Sequence, residues 1–289
     1  MDRSSLAHAV TAWYAAHARD LPWRAAGVSP WGVMVSEFML QQTPVSRAIE
    51  PWTQWLARWP TPAALAAEST GEAVRAWGRL GYPRRALRLH QAATAIVEHH
   101  GGEVPSDVDA LRQLPGVGEY TAAAIAAFAH GRRALVLDTN VRRVLARLDA
   151  GTQSPPASLT RDERERAARW LPESDDEAAR WSVAAMELGA QLCTATNPAC
   201  GKCPVSGACR WLARGRPADG LRRTPQPYAG TDRQARGALL AALRQADSPL
   251  PHATLLARWT VDRAQAERAL AGLVADGLVQ VAEPGHYRL

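Results

Sequence analysis

The sequence predicts an all-α protein that carries a cysteine loop and ends in a small module of helices and strands. Apolar residues recur at helical spacing in almost every segment before residue 212, and no convincing two-residue alternation of a strand occurs there. Prolines, glycines and capping residues divide this region into many short helices. All four cysteines lie within residues 193–209. These three observations define the predicted architecture.

Size and charge narrow the function classes. A chain of 289 residues with 47% hydrophobic residues can form two domains with a proper core. The net charge of +6 and the pI near 9.6 indicate a polyanionic partner, although a basic surface that serves only solubility gives the same values. No apolar run approaches the roughly 20 residues of a membrane span, and the N-terminus lacks the pattern of a signal peptide. We therefore expect a cytoplasmic protein with no membrane partner.

The first helix has Leu6, Ala9, Val10 and Trp13 on one face and ends near Leu21-Pro22. A serine cap followed by proline predicts the start of the next helix at Ser29-Pro30. Helices are predicted over these ranges: 30–41, 44–59, 69–78, 83–100, 120–129, 140–148, 161–170 and 174–192. The helical spacing of Trp52, Trp55 and Trp59 predicts packing in the core rather than a platform for base stacking.

A glycine-containing hairpin, Leu114-Pro115-Gly116-Val117-Gly118, separates two of these helical patterns. Its glycines allow a close approach of the backbone, and the following helix directs free N–H groups and its positive dipole end to the same place. Such a place suits a phosphate. Asp138, twenty residues after Gly118, would then lie near a phosphate-anchored sugar. An ordinary tight turn has the same glycine pattern.

The cysteines follow the pattern Cys193-x6-Cys200-x2-Cys203-x5-Cys209. Such a compact cluster indicates a ligand set in a reducing compartment, not a disulfide framework. A structural zinc site is one interpretation, but zinc ligands usually form two close pairs. Because only Cys200 and Cys203 form a close pair, the spacing favours a 4Fe–4S cluster. Lys202, Arg210 and Arg214 would make this loop a basic knob.

Glu37 lies among apolar residues on a predicted helix, a setting that raises the pKa of a carboxyl group and suits a general acid. A single glutamate on a helix is more often a solvated surface residue. The pair Glu37 and Asp138 would supply the acid and the carboxylate that cleavage of an N-glycosidic bond requires.

The C-terminal part has a different composition. Residues 213–230 are rich in Pro, Gly and Arg and are predicted to form a basic linker. Residues 231–289 show three helical segments followed by two short strands around Pro284-Gly285, the pattern of a winged helix. A winged helix contacts DNA in some proteins and docks to other proteins in others.

Six motifs occur in order: Leu21-Pro22-Trp23, Ser36-Glu37-x-Met39-Leu40-Gln41-Gln42-Thr43, Leu80-Gly81-Tyr82, the 114–118 hairpin, Asp138-x-Asn140-Val141 and the cysteine pattern. On these motifs residues 1–212 resemble the MutY family of adenine DNA glycosylases, in the helix-hairpin-helix superfamily that includes endonuclease III. The resemblance implies a helix-hairpin-helix glycosylase fold with an iron–sulfur loop. Its six-helix barrel would cover residues from about 24 to 135. The part that holds the iron–sulfur cluster would consist of the N-terminal helix and residues from about 136 to 212.

The resemblance also implies a role for each site residue. Glu37 protonates adenine, Asp138 stabilises the sugar cation, and Tyr120 and Asn140 assist near the sugar. The remaining residues form two sets. Trp23, Arg24, Leu40 and Glu187 would line the adenine pocket, and DNA would be bound by Gln42, Tyr82, Leu114, Gly116, Val117 and Gly118, with Gln42 and Tyr82 as wedges in the base stack.

Tyr120 occupies the position at which bifunctional relatives carry a lysine that forms a Schiff base. Lys202 is the only lysine of the chain, so we expect a monofunctional enzyme. Typical members carry a C-terminal Nudix-like domain that reads 8-oxoguanine, whereas the winged-helix-like module stands in that place here. Pro83, in a position where many relatives have an aromatic residue, predicts an extended backbone for Tyr82.

The expected function is removal of adenine opposite 8-oxoguanine or guanine in double-stranded DNA, by a monomeric enzyme with a 4Fe–4S cluster. Two alternatives stay open at this point. One is a mismatch glycosylase that removes thymine, uracil or hypoxanthine. The other is a non-catalytic iron–sulfur regulator that binds DNA.

Overall fold

The computed structural model describes residues 2–220 and 228–289. Helices dominate the first of these ranges. Its α-helices are α1 (Arg3–His17), α2 (Pro30–Leu40), α3 (Val45–Arg58), α4 (Pro62–Ala66), α5 (Thr70–Trp77), α6 (Arg84–His99), α7 (Val108–Gln113), α8 (Glu119–His130), α9 (Thr139–Leu145), α10 (Arg161–Ala168), α11 (Asp175–Gln191) and α12 (Arg210–Ala213). The prediction of a predominantly helical fold is confirmed.

Capping residues explain where several helices begin and end. The Ser69 side chain accepts a hydrogen bond from the Glu72 backbone N–H at the start of α5, and Gly78 ends that helix with a φ of +53°. At α10, Thr160 and Glu163 form a reciprocal capping box. Each of these capping residues lies within a few residues of the helix end that it marks, so the sequence predicts these boundaries well.

Some elements were absent from the prediction because they are too short for a periodic pattern. These are a 3₁₀ turn at Pro22–Arg24 and the helices α4 and α7. The predicted helix 140–148 is observed as α9 followed by a π-helical turn, Ala146–Ala150. Two further 3₁₀ turns, Cys200–Lys202 and Ser206–Ala208, lie within the cysteine loop.

The C-terminal module contains α13 (Asp232–Gln245), β1 (Leu250–Pro251), α14 (His252–Leu256), α15 (Arg263–Ala275), β2 (Gln280–Glu283) and β3 (His286–Arg288). The strands form an antiparallel sheet in the order β1-β3-β2. The short strand β1 was not predicted. The winged-helix assignment stays a prediction, and residues 221–227 of the predicted linker lie outside the described residues.

The chain divides into two compact units. Unit 1 contains Met1–Met34, Pro105–Gln113 and Val117–Arg222, and unit 2 contains Val35–Val104, Leu114–Gly116 and Arg223–Leu289. The C-terminal module therefore shares a unit with α3 to α6. The domain boundaries drawn from the sequence follow chain order instead, and they stay a prediction.

Each unit has its own aromatic core. In unit 1, Trp170 and Trp181 stack with ring centroids 5.6 Å apart. In unit 2, buried Trp55 makes edge contacts with Trp59 and Trp77, at 4.6 and 5.6 Å. The predicted packing role of the α3 tryptophans is thus confirmed. Among the described helices, none combines the length and apolarity that a membrane crossing requires.

Candidate active site and cysteine loop

Asp138 caps the N-terminus of α9. One of its carboxylate oxygens accepts a hydrogen bond from the Val141 backbone N–H, and the other accepts one from Asn140 Nδ2, both at 2.6 Å. Burial raises the pKa of Asp138, while these hydrogen bonds and the nearby charge of Arg143 act in the opposite direction. The structure therefore holds this carboxylate in one orientation, in a largely desolvated setting.

Arg143 continues this arrangement toward the cysteine loop. Its Nη2 donates to Asn140 Oδ1 at 2.7 Å and to the Gly189 carbonyl at 2.6 Å, and its Nε donates to the Cys193 carbonyl at 2.6 Å. A continuous chain of hydrogen bonds thus links Asp138 to the first cysteine. Arg143 was not among the predicted site residues, because no local pattern distinguishes it from the other arginines.

Gly189 permits the close packing of α11 on α9. A Cβ at this position would lie 2.7 Å from Asn140 Cβ and 2.8 Å from the Asn140 carbonyl oxygen. Such a contact would force the two helices apart and disturb the partner of Asp138. Gly189 is therefore a site residue that the sequence analysis missed.

Glu187, on the same helix α11, is fully buried and ionised. Its carboxylate accepts hydrogen bonds from Arg19 Nε at 2.6 Å, Arg19 Nη2 at 2.8 Å and Arg24 Nη2 at 3.0 Å. Burial alone would raise the pKa of Glu187, but hydrogen bonds and charge from Arg19 and Arg24 hold that pKa at about 2. The structure thus brings together Arg24 and Glu187 from the predicted pocket and adds Arg19, which was not predicted.

The Arg24 guanidinium also carries a donor that suits a ligand. Its Nη1 is buried and has no hydrogen-bond partner among the described residues. A buried donor without a partner is costly, so an acceptor atom of a bound molecule would be favourable there. Trp23, which precedes Arg24 in the chain, is buried in the 3₁₀ turn.

Glu37 and Leu40 lie on α2, within unit 2. Glu37 is buried at 6% exposure beside Met34 and Phe38, which are fully buried. The structure therefore removes this carboxyl group from solvent. Tyr120 lies in the first turn of α8 and is half-buried.

The two predicted wedge residues share an unusual backbone. Gln42 and Tyr82 have φ values of +59° and +46°, in the left-handed region that non-glycine residues rarely adopt. Both are exposed, Tyr82 at 52%. The extended backbone predicted for Tyr82 from Pro83 is wrong. A conformation of this kind costs about 1–3 kcal/mol and persists only where the surrounding structure holds it.

Buried Arg85 supplies part of that support. Its Nη1 donates to the carbonyls of Phe38 and Met39 at 2.9 and 3.0 Å, at the end of α2. It also donates to the Gln41 carbonyl. Its Nη2 donates to the Gly81 carbonyl at 3.0 Å, directly before Tyr82. Burial lowers the pKa of Arg85 to about 10, which leaves the guanidinium charged at neutral pH.

The hairpin glycines serve different purposes. Gly116 has a φ of +81°, and a Cβ there would lie 2.7 Å from Arg88 Cβ and 2.9 Å from Phe38 Cε1. The fold itself therefore requires this glycine. Gly118 has a φ of −90° and caps α8 without any side chain, and an added Cβ would meet nothing within 4 Å. The backbone at Gly118 is thus open to a close approach.

Leu114 and Val117, which were predicted to bind DNA, have buried side chains at 4% and 7% exposure. Only their backbone groups can contribute to a nucleic-acid interface. Their side chains instead pack inside the protein and hold the hairpin in place.

The four cysteines are free and half-buried. Burial raises the pKa of Cys203 to about 11, and this thiol also interacts electrostatically with the other three, Cys193, Cys200 and Cys209. This setting disfavours a thiolate at Cys203 unless a strong positive charge is present. The irons of a cluster would supply that charge, so the residues fit the predicted cofactor.

Arg147 holds the first part of this loop from within. It is buried at 2% exposure, and its Nη1 donates to Cys193 Sγ at 3.5 Å and to the Thr194 carbonyl at 2.7 Å. Its guanidinium lies 4.6 Å from the Trp211 ring centroid. An arginine that donates to a ligand sulfur stabilises negative charge on it.

The predicted basic knob is only partly free for a partner. Arg210 Nη1 donates to the Asp149 carbonyl at 2.8 Å and lies 3.5 Å from the Asp149 carboxylate. Arg214 Nη1 donates to the Gly151 carbonyl at 3.4 Å. Lys202 is exposed. Arg210 and Arg214 thus fasten the loop to the π-helical turn as well as adding charge.

Comparisons with known proteins agree with this arrangement. Residues 35–170 match the HhH-GPD superfamily of base excision DNA repair proteins, and residues 193–209 match the iron–sulfur binding domain of endonuclease III. The second match contains all four cysteines, which favours the iron–sulfur cluster over the zinc interpretation.

The chain is 51% identical to the adenine DNA glycosylase of Mycobacterium tuberculosis over 284 residues, which covers 96% of this chain and 91% of the relative. It is 52% identical to the adenine DNA glycosylase of Mycolicibacterium smegmatis over 277 residues, which covers 96% and 93%. Among solved structures, a non-covalent complex of endonuclease III with DNA has a TM-score of 0.62 and 21% identity, and the match covers 75% of this chain and all of that one.

The two hairpin glycines provide a matched pair of variants. Gly118→Ala should leave the melting temperature nearly unchanged and weaken binding to a short DNA duplex, because the added methyl group projects from the accessible end of α8. Gly116→Ala should lower the melting temperature by several degrees, because its φ and its neighbours exclude a Cβ. Thermal unfolding and fluorescence anisotropy would measure both. Equal loss of stability in the two variants would contradict the different roles assigned here.

Proposed function

Since this chain belongs to the family of adenine DNA glycosylases, helix-hairpin-helix proteins of base excision repair, we propose that it hydrolyses the N-glycosidic bond of adenine that lies opposite 8-oxoguanine or guanine in duplex DNA. The observation that carries this proposal is Asp138, a largely desolvated carboxylate that is held by two hydrogen bonds of 2.6 Å at the N-terminus of α9. A fixed anion in a desolvated site is what an oxocarbenium-like sugar requires for stabilisation.

Glu37 is the proposed general acid. It protonates the adenine, so that the base departs as a neutral leaving group while positive charge develops on the sugar. Its burial on α2 supports this role, because a desolvated carboxyl group retains its proton more readily than one in water. Asp138 and Glu37 would thus have opposite protonation states during the reaction.

The adenine pocket would consist of Trp23, Arg24, Leu40 and Glu187. The unpartnered Arg24 Nη1 suits a ring nitrogen of the base, and the charge of Glu187 is neutralised before adenine binds. Arg19 acts as a positioning residue, because its bidentate contact fixes the Glu187 carboxylate. Extrusion of the adenine into this pocket requires the base to leave the helical stack.

Gln42 and Tyr82 would support that extrusion from the position of the estranged base. Both side chains are exposed on strained backbone, and this exposure supports a role in which they insert into a base stack. The hairpin, from Leu114 to Gly118, would bind the phosphate backbone through main-chain N–H groups. Tyr120 and Asn140 would assist near the sugar.

We further propose that the enzyme is monofunctional. Strand cleavage through a Schiff base requires an amine at the reacting sugar. The chain's single lysine, Lys202, belongs to the cysteine loop, and the corresponding position of the hairpin helix is Tyr120. Water, not an amine, is then the group that completes the reaction.

The cluster, when bound, would hold the basic loop 193–209 in a folded state. Cys193, Cys200, Cys203 and Cys209 would each bind one iron through a thiolate. Because free thiols persist in a reducing compartment, we propose a cytoplasmic location. We also expect the enzyme to be a monomer.

The catalytic assignment is tested by single-turnover cleavage of labelled duplexes with adenine opposite 8-oxoguanine, guanine or cytosine, beside a T:G duplex. We expect product from the adenine strand, visible only after an alkali step. Glu37→Gln should lower this rate by about 10²- to 10⁴-fold, the usual range for loss of a general acid, while duplex binding persists. Glu50→Gln, on the exposed side of α3, is the control and should retain full activity.

Each contrary result has a distinct meaning. Cleavage of T:G would indicate a mismatch glycosylase of different specificity. Absence of product from every duplex, together with an unchanged Glu37→Gln variant, would favour a non-catalytic iron–sulfur regulator.

Asn140→Ala should change the pH dependence of the reaction in a defined direction. Asp138 must be ionised to act, and the hydrogen bonds from Asn140 lower its pKa. Loss of the side-chain bond raises that pKa, so the acid limb of the rate profile should move to higher pH. Thr139→Ala, at the exposed first residue of α9, is the matched control. An unchanged acid limb in Asn140→Ala would rule out this role for Asn140.

A further inference from the structure

The C-terminal module is attached to α5 and α6 at three points, all within unit 2. At the first point, Arg75 Nη1 on α5 donates to the carbonyls of Leu243 and Ala246 at 3.3 Å, where α13 ends. In return, Arg244 Nε on α13 donates to the Val74 carbonyl at 3.1 Å. A guanidinium at the C-terminal end of a helix satisfies free carbonyls and complements the helix dipole.

The second point is the acidic residue that follows α15. Asp276 is 14% exposed in its side chain and accepts hydrogen bonds from Arg84 and from Arg236. Arg84 is the first residue of α6 and lies two positions after Tyr82. Asp276 thus neutralises one arginine from its own module and one from the start of α6.

The third point is a contact of backbone on backbone. A Cβ added to Gly71, at the start of α5, would lie 2.6 Å from both the carbonyl carbon and the oxygen of Leu289. Only glycine permits this distance. The three points lie on α5 and at the start of α6, and the turn between those two helices carries Tyr82.

The turn that carries Tyr82 needs contacts with other parts of the protein to keep its conformation. Tyr82 has a φ of +46°, follows Gly81 at a φ of +81° and is half-exposed. Arg85 holds the turn through the carbonyls of Leu80 and Gly81. The ion pair of Arg84 with Asp276 holds the next residues of the chain to the C-terminal module. The conformation of the turn therefore depends on two adjacent arginines with different partners.

We propose that the C-terminal module is a positioning element for the Tyr82 wedge. The module acts through the contact of Asp276 with Arg84, and it thereby sets how firmly the enzyme engages the base opposite adenine. This inference rests on the wedge role of Tyr82 in the proposed function. The module contributes to recognition by holding the turn, without a requirement that it touch DNA. Asp276 is a positioning residue, because it acts through another side chain.

The test compares Asp276→Asn with Glu267→Gln. Both remove one negative charge from a carboxylate on or next to α15, but the Glu267 partner is His252, 3.0 Å away within the module. Single-turnover rates on the duplex with adenine opposite 8-oxoguanine are measured for each variant in the wild-type and Tyr82→Ala backgrounds. Asp276→Asn should lower the rate about 5- to 10-fold in the wild-type background and less than twofold without Tyr82, as expected for residues that act in one network. Glu267→Gln should retain the rate in both.

A structural role alone would not depend on Tyr82. Equal loss of rate from Asp276→Asn in both backgrounds, or no loss in either, would overturn the inference while leaving adenine removal intact. If Tyr82→Ala alone has no effect although the wild-type protein cleaves, the wedge role fails and the inference fails with it.

Gly71→Ala provides a second route if Asp276→Asn does not fold. Alanine is intrinsically more favourable than glycine in a helix, so the substitution should not weaken α5 itself. The three atoms nearest the added methyl group all belong to Leu289, so the variant disturbs the contact between α5 and the C-terminal module. Its effect on rate should show the same dependence on Tyr82. A Gly71→Ala variant that folds and cleaves at the wild-type rate would also count against the module's role.

Discussion

The interaction on which the site most depends is the buried guanidinium of Arg143. A carboxylate that stabilises a sugar cation works best away from water, yet burial raises its pKa and favours the neutral form. At Asp138, donated hydrogen bonds oppose the rise in pKa that burial causes, and one of the donors, Asn140, is oriented by Arg143. Arg143 in turn donates to the Cys193 carbonyl. The environment of the Asp138 carboxylate and the cysteine loop are therefore linked through a single side chain.

Arginine side chains satisfy main-chain carbonyls at several places in this fold. A helix leaves its final carbonyls without partners, and a protein of many short helices has many such groups. Arg85 and Arg147 each satisfy several carbonyls at once, and Arg75 does so at the end of α13. Five fixed donors make arginine suitable for this task, whereas lysine offers a single point charge. The abundance of arginine thus contributes to the fold as well as to attraction of a polyanion.

Local signals made much of this structure predictable. Caps such as Ser69 and Thr160 lie next to the helices they begin, and the cysteine spacing is itself a ligand pattern. The missed features depend on contacts between distant parts of the chain. Arg19 meets Glu187 across 168 positions, and Gly189 matters only because α9 packs on it. Tyr82 shows the same principle, because tertiary contacts of the following arginines override the preference that Pro83 imposes.

Rigidity can contribute to specificity as much as contact does. A wedge residue discriminates between bases only if its position is the same in every encounter. A strained turn adopts other conformations when the contacts that hold it are lost. In unit 2, the supports of the Tyr82 turn come from α2 through Arg85 and from the C-terminal module through Arg84. Because specificity is a difference between two binding energies, a module that stiffens the Tyr82 turn can alter that difference without contact with the base. The small size of the module is then no obstacle to a role in recognition.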